Sequence, residues 1–273
     1  MKSILVPIEE HEGMRLPLLA AKEFAEHHGS TVSGMALRAP RFQVVGAEPV
    51  VAVSFPVTEE DEAETLSASQ KLFDTFVTTE NATSGGAKFV WNNDGPLDDV
   101  ALGSVSRVYD ITVIGRPNSV QGLPRMTTLE AALFDSGRPV LIIPPEFKSG
   151  FGKNVVISWN CSTESSHTIA TCLPILKLAD KVTVLTVPEA MVPGPSGAQL
   201  CDYLKFHDIN ADEVTAPPTG RKPGAAILEE TAKIGGDLLI KGAYTQSRLR
   251  QMILGGATSY LLSYSTLPIF MEH

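Results

Sequence analysis

The sequence predicts an α/β protein built of two tandem, doubly wound, five-stranded parallel-sheet domains, and three observations lead there. The chain has 273 residues, close to two domains of roughly 130 to 140 residues, each large enough to bury a full core. It also repeats itself. Ser3–Ile8 and Asn154–Trp159 are short apolar runs, each followed by a polar turn and a helical pattern; Asp110-Ile111-Thr112-Val113-Ile114-Gly115 matches Asp237-Leu238-Leu239-Ile240-Lys241-Gly242; and each half closes on a proline-led apolar run, Pro139–Ile143 and Pro268–Met271. Between these markers short apolar runs alternate with three-to-four spacing, which is how parallel strands joined by crossover helices are written in sequence.

Taken in order, the first half carries strands near 3–8, 31–37, 87–91, 110–115 and 139–144, with helices near 14–28, 59–79, 96–107 and 127–136. The helix at 59–79 shows its buried face plainly, with Ala63, Leu66, Phe73, Phe76 and Val77 on one side and an acidic first turn that suits the helix dipole. The second half carries strands near 153–159, 181–187, 210–216, 236–241 and 268–271, with helices near 163–178, 195–206, 222–235 and 256–265. Pro174 weakens the first of these helices locally, while Ile169, Cys172, Leu173 and Leu176 keep its apolar face. The first half is longer because of Arg38 to Glu60, read as an apolar-rich loop that either packs over its own domain or covers a pocket. Proline and glycine punctuate the linker Pro144–Gly152, which sets the domains at 1–146 and 153–273.

Composition excludes several classes of function. A hydrophobic fraction of 43% with 19% charged residues is ordinary globular composition, and the net charge of −9 disfavours a nucleic-acid partner, since phosphate backbones are held by clustered Lys and Arg. Cys161, Cys172 and Cys201 form neither a C-x-x-C nor a zinc spacing, so they read as reduced thiols. The run MKSILVPIEE has no signal-peptide core, and the most apolar window, Val44 to Val57, is broken by Glu48, Pro49 and Pro56. The expectation is a cytoplasmic protein without a membrane partner.

In an open parallel sheet, ligands bind beyond the carboxyl ends of the strands, where the strand order reverses. Gly242 ends the fourth strand of the second half, and Gly255-Gly256-Ala257-Thr258 opens the helix before the last strand. Glycines let the backbone approach a phosphate, and the free N–H groups of a helix start supply donors, so such a loop can hold a polyphosphate without lysine. Each residue also has a structural explanation. Gly242 can serve a sharp strand exit, Asn160 can cap the following helix with Ser162 and Thr163, Cys161 can fill a loop, Tyr244 can be a partly buried aromatic, and Arg248 and Arg250 can be solvated loop arginines. Ser84-Gly85-Gly86 precedes a strand instead of following one, and neither G-x-G-x-x-G, a Walker lysine nor a nucleophile elbow is present, so no committed catalytic machinery is visible.

The run GAYTQSRLRQMILGGATSYLL followed by LPIFMEH resembles the end of a universal stress protein domain, a family that often places two such domains in one chain. Its signature is a glycine, two residues, a glycine, nine residues, a glycine and then Ser or Thr. Gly242 and Gly255 match the first and third glycines. Thr245 stands at the second, and Gly256 at the hydroxyl position, with Thr258 two residues on. VVISWNCSTESSHTIATCLPIL resembles the family's first strand and helix, and ADKVTVLTV its second strand. The resemblance implies an adenine nucleotide α-hydrolase-like fold, with the two halves packed as a pseudo-dimer able to dimerise further. It implies an adenine nucleotide, ATP, ADP or AMP with or without magnesium, in the second half. Asn160 would lie near base and ribose, Val184 to Val187 would wall the adenine, and Gly242, Tyr244, Thr245, Arg248, Gly255, Gly256, Ala257 and Thr258 would surround the phosphates. In the first half Glu9 holds the acidic position, but Gly115-Arg116-Pro117-Asn118 and Met126-Thr127-Thr128-Leu129-Glu130 lack the later glycines, so that half is expected to bind nucleotide poorly. The implied role is a regulatory or protective stress protein with an unidentified protein partner and at most slow hydrolysis. The alternatives are a nucleotide-free interaction scaffold and, more remotely, a true enzyme of the wider adenine-nucleotide class.

Overall fold

The computed structural model of the chain describes residues 1–38, 42–45, 51–54, 58–81, 86–117, 124–218, 220–243 and 256–273. The first half runs β1 (Ser3–Ile8), α1 (Arg15–His28), β2 (Thr31–Leu37), β3 (Phe42–Val45), β4 (Val51–Ser54), α2 (Glu59–Asn81), β5 (Lys88–Leu97), α3 (Asp99–Val105), β6 (Ile111–Gly115), α4 (Met126–Phe134) and β7 (Val140–Ile143). The second runs β8 (Asn154–Trp159), α5 (Thr163–Leu176), β9 (Lys181–Thr186), α6 (Gly197–Lys205), β10 (Ala211–Thr215), α7 (Pro223–Ile234), β11 (Leu238–Gly242), α8 (Ala257–Tyr264) and β12 (Ile269–Glu272).

Both halves follow one topology within a single ten-stranded sheet ordered β10-β9-β8-β11-β12-β7-β6-β1-β2-β5. All neighbours are parallel except β12 and β7, the last strand of each half, which pair antiparallel with Leu141 opposite Phe270. Val140, Leu141, Ile142, Ile269, Phe270 and Met271 are all essentially inaccessible to solvent, so the seam between halves is core, each such side chain worth about 1.5–3 kcal/mol on burial. Leu18, Phe24 and Phe73 of α1 and α2 share one face of the sheet with Ile169, Leu200 and Leu204 of α5 and α6. Leu102, Leu129 and Leu133 of α3 and α4 share the other with Ile227, Leu261 and Leu262 of α7 and α8. The strands feed both faces by alternation, Leu238 and Ile240 to the first and Leu239 and Ala243 to the second.

The linker is also packed. Phe147 and Phe151 are buried against each other with ring centroids 5.8 Å apart, and the Gly152 amide donates to Asp237 Oδ1 at 2.8 Å. Arg116, at the end of β6, reaches across the seam and donates to the carbonyls of Ser263 and Ser265 at 2.9 Å each. A guanidinium there satisfies carbonyls that the end of α8 leaves open.

Local chemistry sets the helix ends. Asp98 caps α3 by accepting from the Ala101 amide at 2.8 Å, Ser162 caps α5 through Ser165 N–H, and Ser196 with Gln199 forms a capping box on α6. α1 stops at Gly29, whose φ of +60° is left-handed. Two expectations need correction. The stretch 38–60 is not purely loop: β3 and β4 pair antiparallel there, Phe42 opposite Ser54, and valine and phenylalanine favour such strands. And the helix expected at 96–107 starts later, because Asp98 is its cap and Leu97 still pairs with Leu37 in β5. Among the described residues no helix is long and apolar enough to cross a membrane.

Candidate functional site

The register shows where each half opens. In the second half β11 pairs with β12 as far as Gly242 opposite Glu272, but with β8 only as far as Ile240 opposite Ile157. In the first half β6 pairs with β7 to Gly115 opposite Ile143, whereas β1 and β6 pair only at Ile4–Ile111 and Leu5–Thr112. The strand order reverses at these two seams, so the carboxyl ends part there and leave a crevice, the position where open α/β sheets take ligands.

The first crevice is filled by the protein itself. Arg125, just before α4, pairs through Nη1 with Glu9 at the end of β1, and through Nη2 with Asp99 of α3 at 2.8 Å. Thr128 donates to the same Asp99 oxygen at 2.8 Å. Arg38 at the end of β2 extends the network, reaching Glu62 at 2.7 Å and Asp98 at 3.6 Å. Glu9 is 6% exposed, and burial pushes its carboxyl up to about 6 although Arg125 pulls it down. For Asp99 burial also works upward, but hydrogen bonds from Thr127, Arg125 and Thr128 outweigh it and hold the group below the usual range. The acidic position of this half thus has an internal counter-ion.

In the second crevice Asn160 takes the place of Glu9. Its Oδ1 accepts from the Ser162 amide at 3.3 Å and from the Ser165 hydroxyl, so it braces the first turn of α5. Gly242 closes β11 directly against that turn: a Cβ there would sit 2.5 Å from the Ser165 nitrogen. Close approach of strand to helix therefore requires a glycine here, whatever else the residue does. Cys161 adopts a left-handed φ of +69°, and its thiol and the Trp159 indole both donate to the Pro195 carbonyl, at 2.8 and 2.9 Å. With Val192 N–H donating to Asn160 O at 3.0 Å, the segment after β9 is pinned over the end of β8. Val184 is fully buried in the sheet core, and Val187, 2% exposed, packs on the opposite face; neither offers accessible surface in this arrangement.

The start of α8 lies at the same end of the sheet. Gly256 is its N-cap and supplies no side-chain cap, as at the starts of α1, α4 and α7 and unlike α3, α5 and α6, so the first-turn amides have no acceptor within the helix. Ala257 is half-buried and Thr258 is 2% exposed. Tyr244, Thr245, Arg248 and Gly255 lie outside the described residues, as does Arg250.

Two residues here were not singled out by sequence reasoning. Lys241, the last but one residue of β11, is 6% exposed, and its Nζ donates to the Gly242 carbonyl at 2.7 Å. Burial pulls its ammonium down to about 8, with the Glu164 carboxylate working the other way. Glu164, in the first turn of α5, has a buried Oε2 that accepts no hydrogen bond from the described residues. The signal in the sequence was the lysine in Asp237–Gly242 where the matching run of the first half has Ile114.

Cavities occur elsewhere too. One of about 280 Å³ lies between the end of α1, the linker and the end of α5, lined by Phe24, His28, Phe151 and Ile175; a groove of about 770 Å³ runs between the start of α1 and α2. Neither contains strand-end residues of the second half. Among the described residues no three His, Cys, Asp or Glu side chains gather as a metal site.

No protein-family model matches the sequence, and no curated protein matches it. Solved structures do match over the whole length. A universal stress protein from Archaeoglobus fulgidus DSM 4304 superposes with a TM-score of 0.73 at 16% identity, covering 99% of this chain and 95% of its own. A functionally unknown protein from Pseudomonas aeruginosa PAO1 gives a TM-score of 0.57 at 13% identity, covering 100% and 92%. A candidate universal stress protein from Pseudomonas aeruginosa UCBPP-PA14 gives 0.54 at 11%, covering 100% and 93%. The chain therefore has the tandem-domain universal stress protein fold.

Proposed function

We propose that the second half binds one adenine nucleotide per chain at the crevice between β8 and β11, and that the protein is a nucleotide-responsive stress module with at most slow hydrolysis. The observation that carries this reading is the splaying of β11 from β8 beyond Ile240–Ile157, at the sheet end where α8 begins with a glycine N-cap that has no side chain to cap the first amides. The glycines shared with the family signature, Gly242 and Gly255, flank this opening in sequence. The first half does not take part, because Arg125 occupies its crevice. Nucleotide state would alter the loops after the second and fourth strands of the second half, and a cytoplasmic protein partner would read that change.

Native mass spectrometry of freshly purified protein tests this, with one co-purified ATP, ADP or AMP per chain as the expected result. A thermal-shift series with each nucleotide, with and without magnesium, is the quantitative form, because a ligand at about a hundredfold excess over Kd stabilises the folded state by about 2.7 kcal/mol. The nucleotide-free scaffold reading draws support from Asn160 and Gly242, both engaged in bracing α5. Absence of any shift at millimolar nucleotide selects it.

A further inference from the structure

Two lysines among the described residues are buried, and they differ in one respect. Lys22, 8% exposed, has a carboxylate partner in Glu26 at 2.9 Å. Lys241, 6% exposed, has no ion pair among the described residues; its one hydrogen bond goes to the neutral carbonyl of its neighbour. An ammonium carries three donors, so two remain to be used. A charge held away from water without a counter-ion is among the most expensive arrangements a fold can keep, and such breaches of local consistency concentrate at functional sites.

The backbone places this ammonium at the crevice. The Ala243 amide donates to Glu272 O of β12 at 2.7 Å, so the Gly242 carbonyl of the same planar peptide points the opposite way, towards β8. That is the side on which β8 and β11 have parted. The Lys241 side chain leaves the strand on the face shared with Leu239 and Ala243 and turns back over the strand end to reach the carbonyl. Nζ thus lies at the end of β11, at the carbonyl that faces β8.

We propose that Lys241 is a charge-bearing residue of this crevice, donating from Nζ to a phosphate oxygen of the bound nucleotide. This rests on the nucleotide reading above. The ligand class it specifies is a polyphosphate, since the gain from a buried ammonium grows with the negative charge brought to it. Glu164 of α5, whose carboxylate acts on this ammonium, opposes the phosphate, and His273, which bonds to Ala243 O at 3.1 Å, and Glu272, opposite Gly242 in β12, are further titratable groups at this end. Lys241 is therefore a site for which the free protein gives up stability.

The test uses the full chain and isothermal titration with ATP, AMP and inorganic tripolyphosphate, on wild type, Lys241→Met, Lys241→Gln and Glu164→Gln. Methionine matches lysine in length and suits a buried position, so Lys241→Met is expected to melt at a higher temperature than wild type without ligand, and to bind ATP and tripolyphosphate about 10- to 100-fold more weakly. Lys241→Gln, which keeps a donor and loses the charge, is expected to fall with it. Glu164→Gln is expected to tighten binding. Affinity of the wild type should decline from pH 7 to pH 10, and that of Lys241→Met should not. Wild type that binds ATP while Lys241→Met binds it within twofold overturns this proposal and leaves the nucleotide site standing. Binding of tripolyphosphate but not ATP supports the lysine and sinks the adenine reading, and binding of neither sinks both.

Discussion

Replacing Arg125 by methionine should make the stability of this protein depend on pH in a way that the ion pairs at 9, 99 and 125 dictate. Glu9 is nearly inaccessible, and its folded pKa of about 6 stands above the ordinary value of 4.5. A carboxylate raised in the folded state contributes stability that is complete below pH 4.5 and lost as pH rises through 6. At pH 8 that loss is about 2 kcal/mol relative to acid, even with Arg125 in place. Removing the guanidinium takes away the main downward pull, so the folded pKa rises further and the loss deepens. Breaking a buried pair from one side costs about 3–5 kcal/mol, but Glu9 can take up a proton and the Asp99 side chain is 21% exposed, which limits the penalty. The expected loss is about 2–3 kcal/mol at pH 8 and about 1 kcal/mol at pH 5, where Glu9 is neutral in both proteins. Urea titrations at the two pH values, followed by the fluorescence of Trp91 and Trp159, measure it. Adding Glu9→Gln should restore most of the loss at pH 8. Equal destabilisation at both pH values would refute the reasoning, because the effect would then be packing and not charge.

Further outcomes follow from packing and burial. Gly242→Ala should destabilise by about 1–3 kcal/mol in urea, because its Cβ would lie 2.5 Å from backbone of α5 that cannot yield as a flexible side chain would; a neutral result would mean that β11 and α5 can move apart. Phe270→Ala at the seam should cost about 3–5 kcal/mol, and calorimetry should still show one transition, since the residue is fully buried opposite Leu141 of the other half; two separated transitions would show that the halves unfold independently. Burial raises the thiol pKa of all three cysteines, so a thiol reagent at pH 7.5 should modify Cys161 slowly and the buried Cys172 and Cys201 only in denaturant. Fast modification of all three in native protein would contradict the packing of α5 and α6.

The fold was legible because both periodicities were strong and the sequence said everything twice. Strands such as Ile4–Ile8 and Val155–Trp159 are buried on both faces and read as continuous apolar runs. What escaped was local or reciprocal. The strands Phe42–Val45 and Val51–Ser54 are short apolar runs that periodicity alone cannot separate from an apolar loop, and Asp98 moved a helix start by capping it. The site was legible by position and less so by role. Gly242 and Asn160 did fall at the strand ends, yet contacts that no spacing rule contains turned both towards α5. Arg125 left no trace as a site residue, because its partners Glu9 and Asp99 are far away in sequence and meet only when β1, α3 and α4 converge.

The difference between the halves can be argued from two positions of the repeat. After the first strand, one half has an acid and the other an amide; near the end of the fourth strand, one has Ile114 and the other Lys241. In the first half the acid draws in Arg125, and the crevice becomes an ion-paired network whose charges satisfy each other. In the second, the amide is consumed by α5, and the lysine makes one hydrogen bond among the described residues, to a neutral carbonyl. Complete pairing removes any electrostatic reason for a ligand to enter, whereas an unpaired buried cation creates one. The substitution Ile114→Lys together with Arg125→Met therefore ought not to create a second anion site, because Glu9 would capture the new ammonium. Only with Glu9→Asn added should the first half begin to respond to tripolyphosphate in a thermal-shift series, and a response without that third change would show that Glu9 does not govern the crevice.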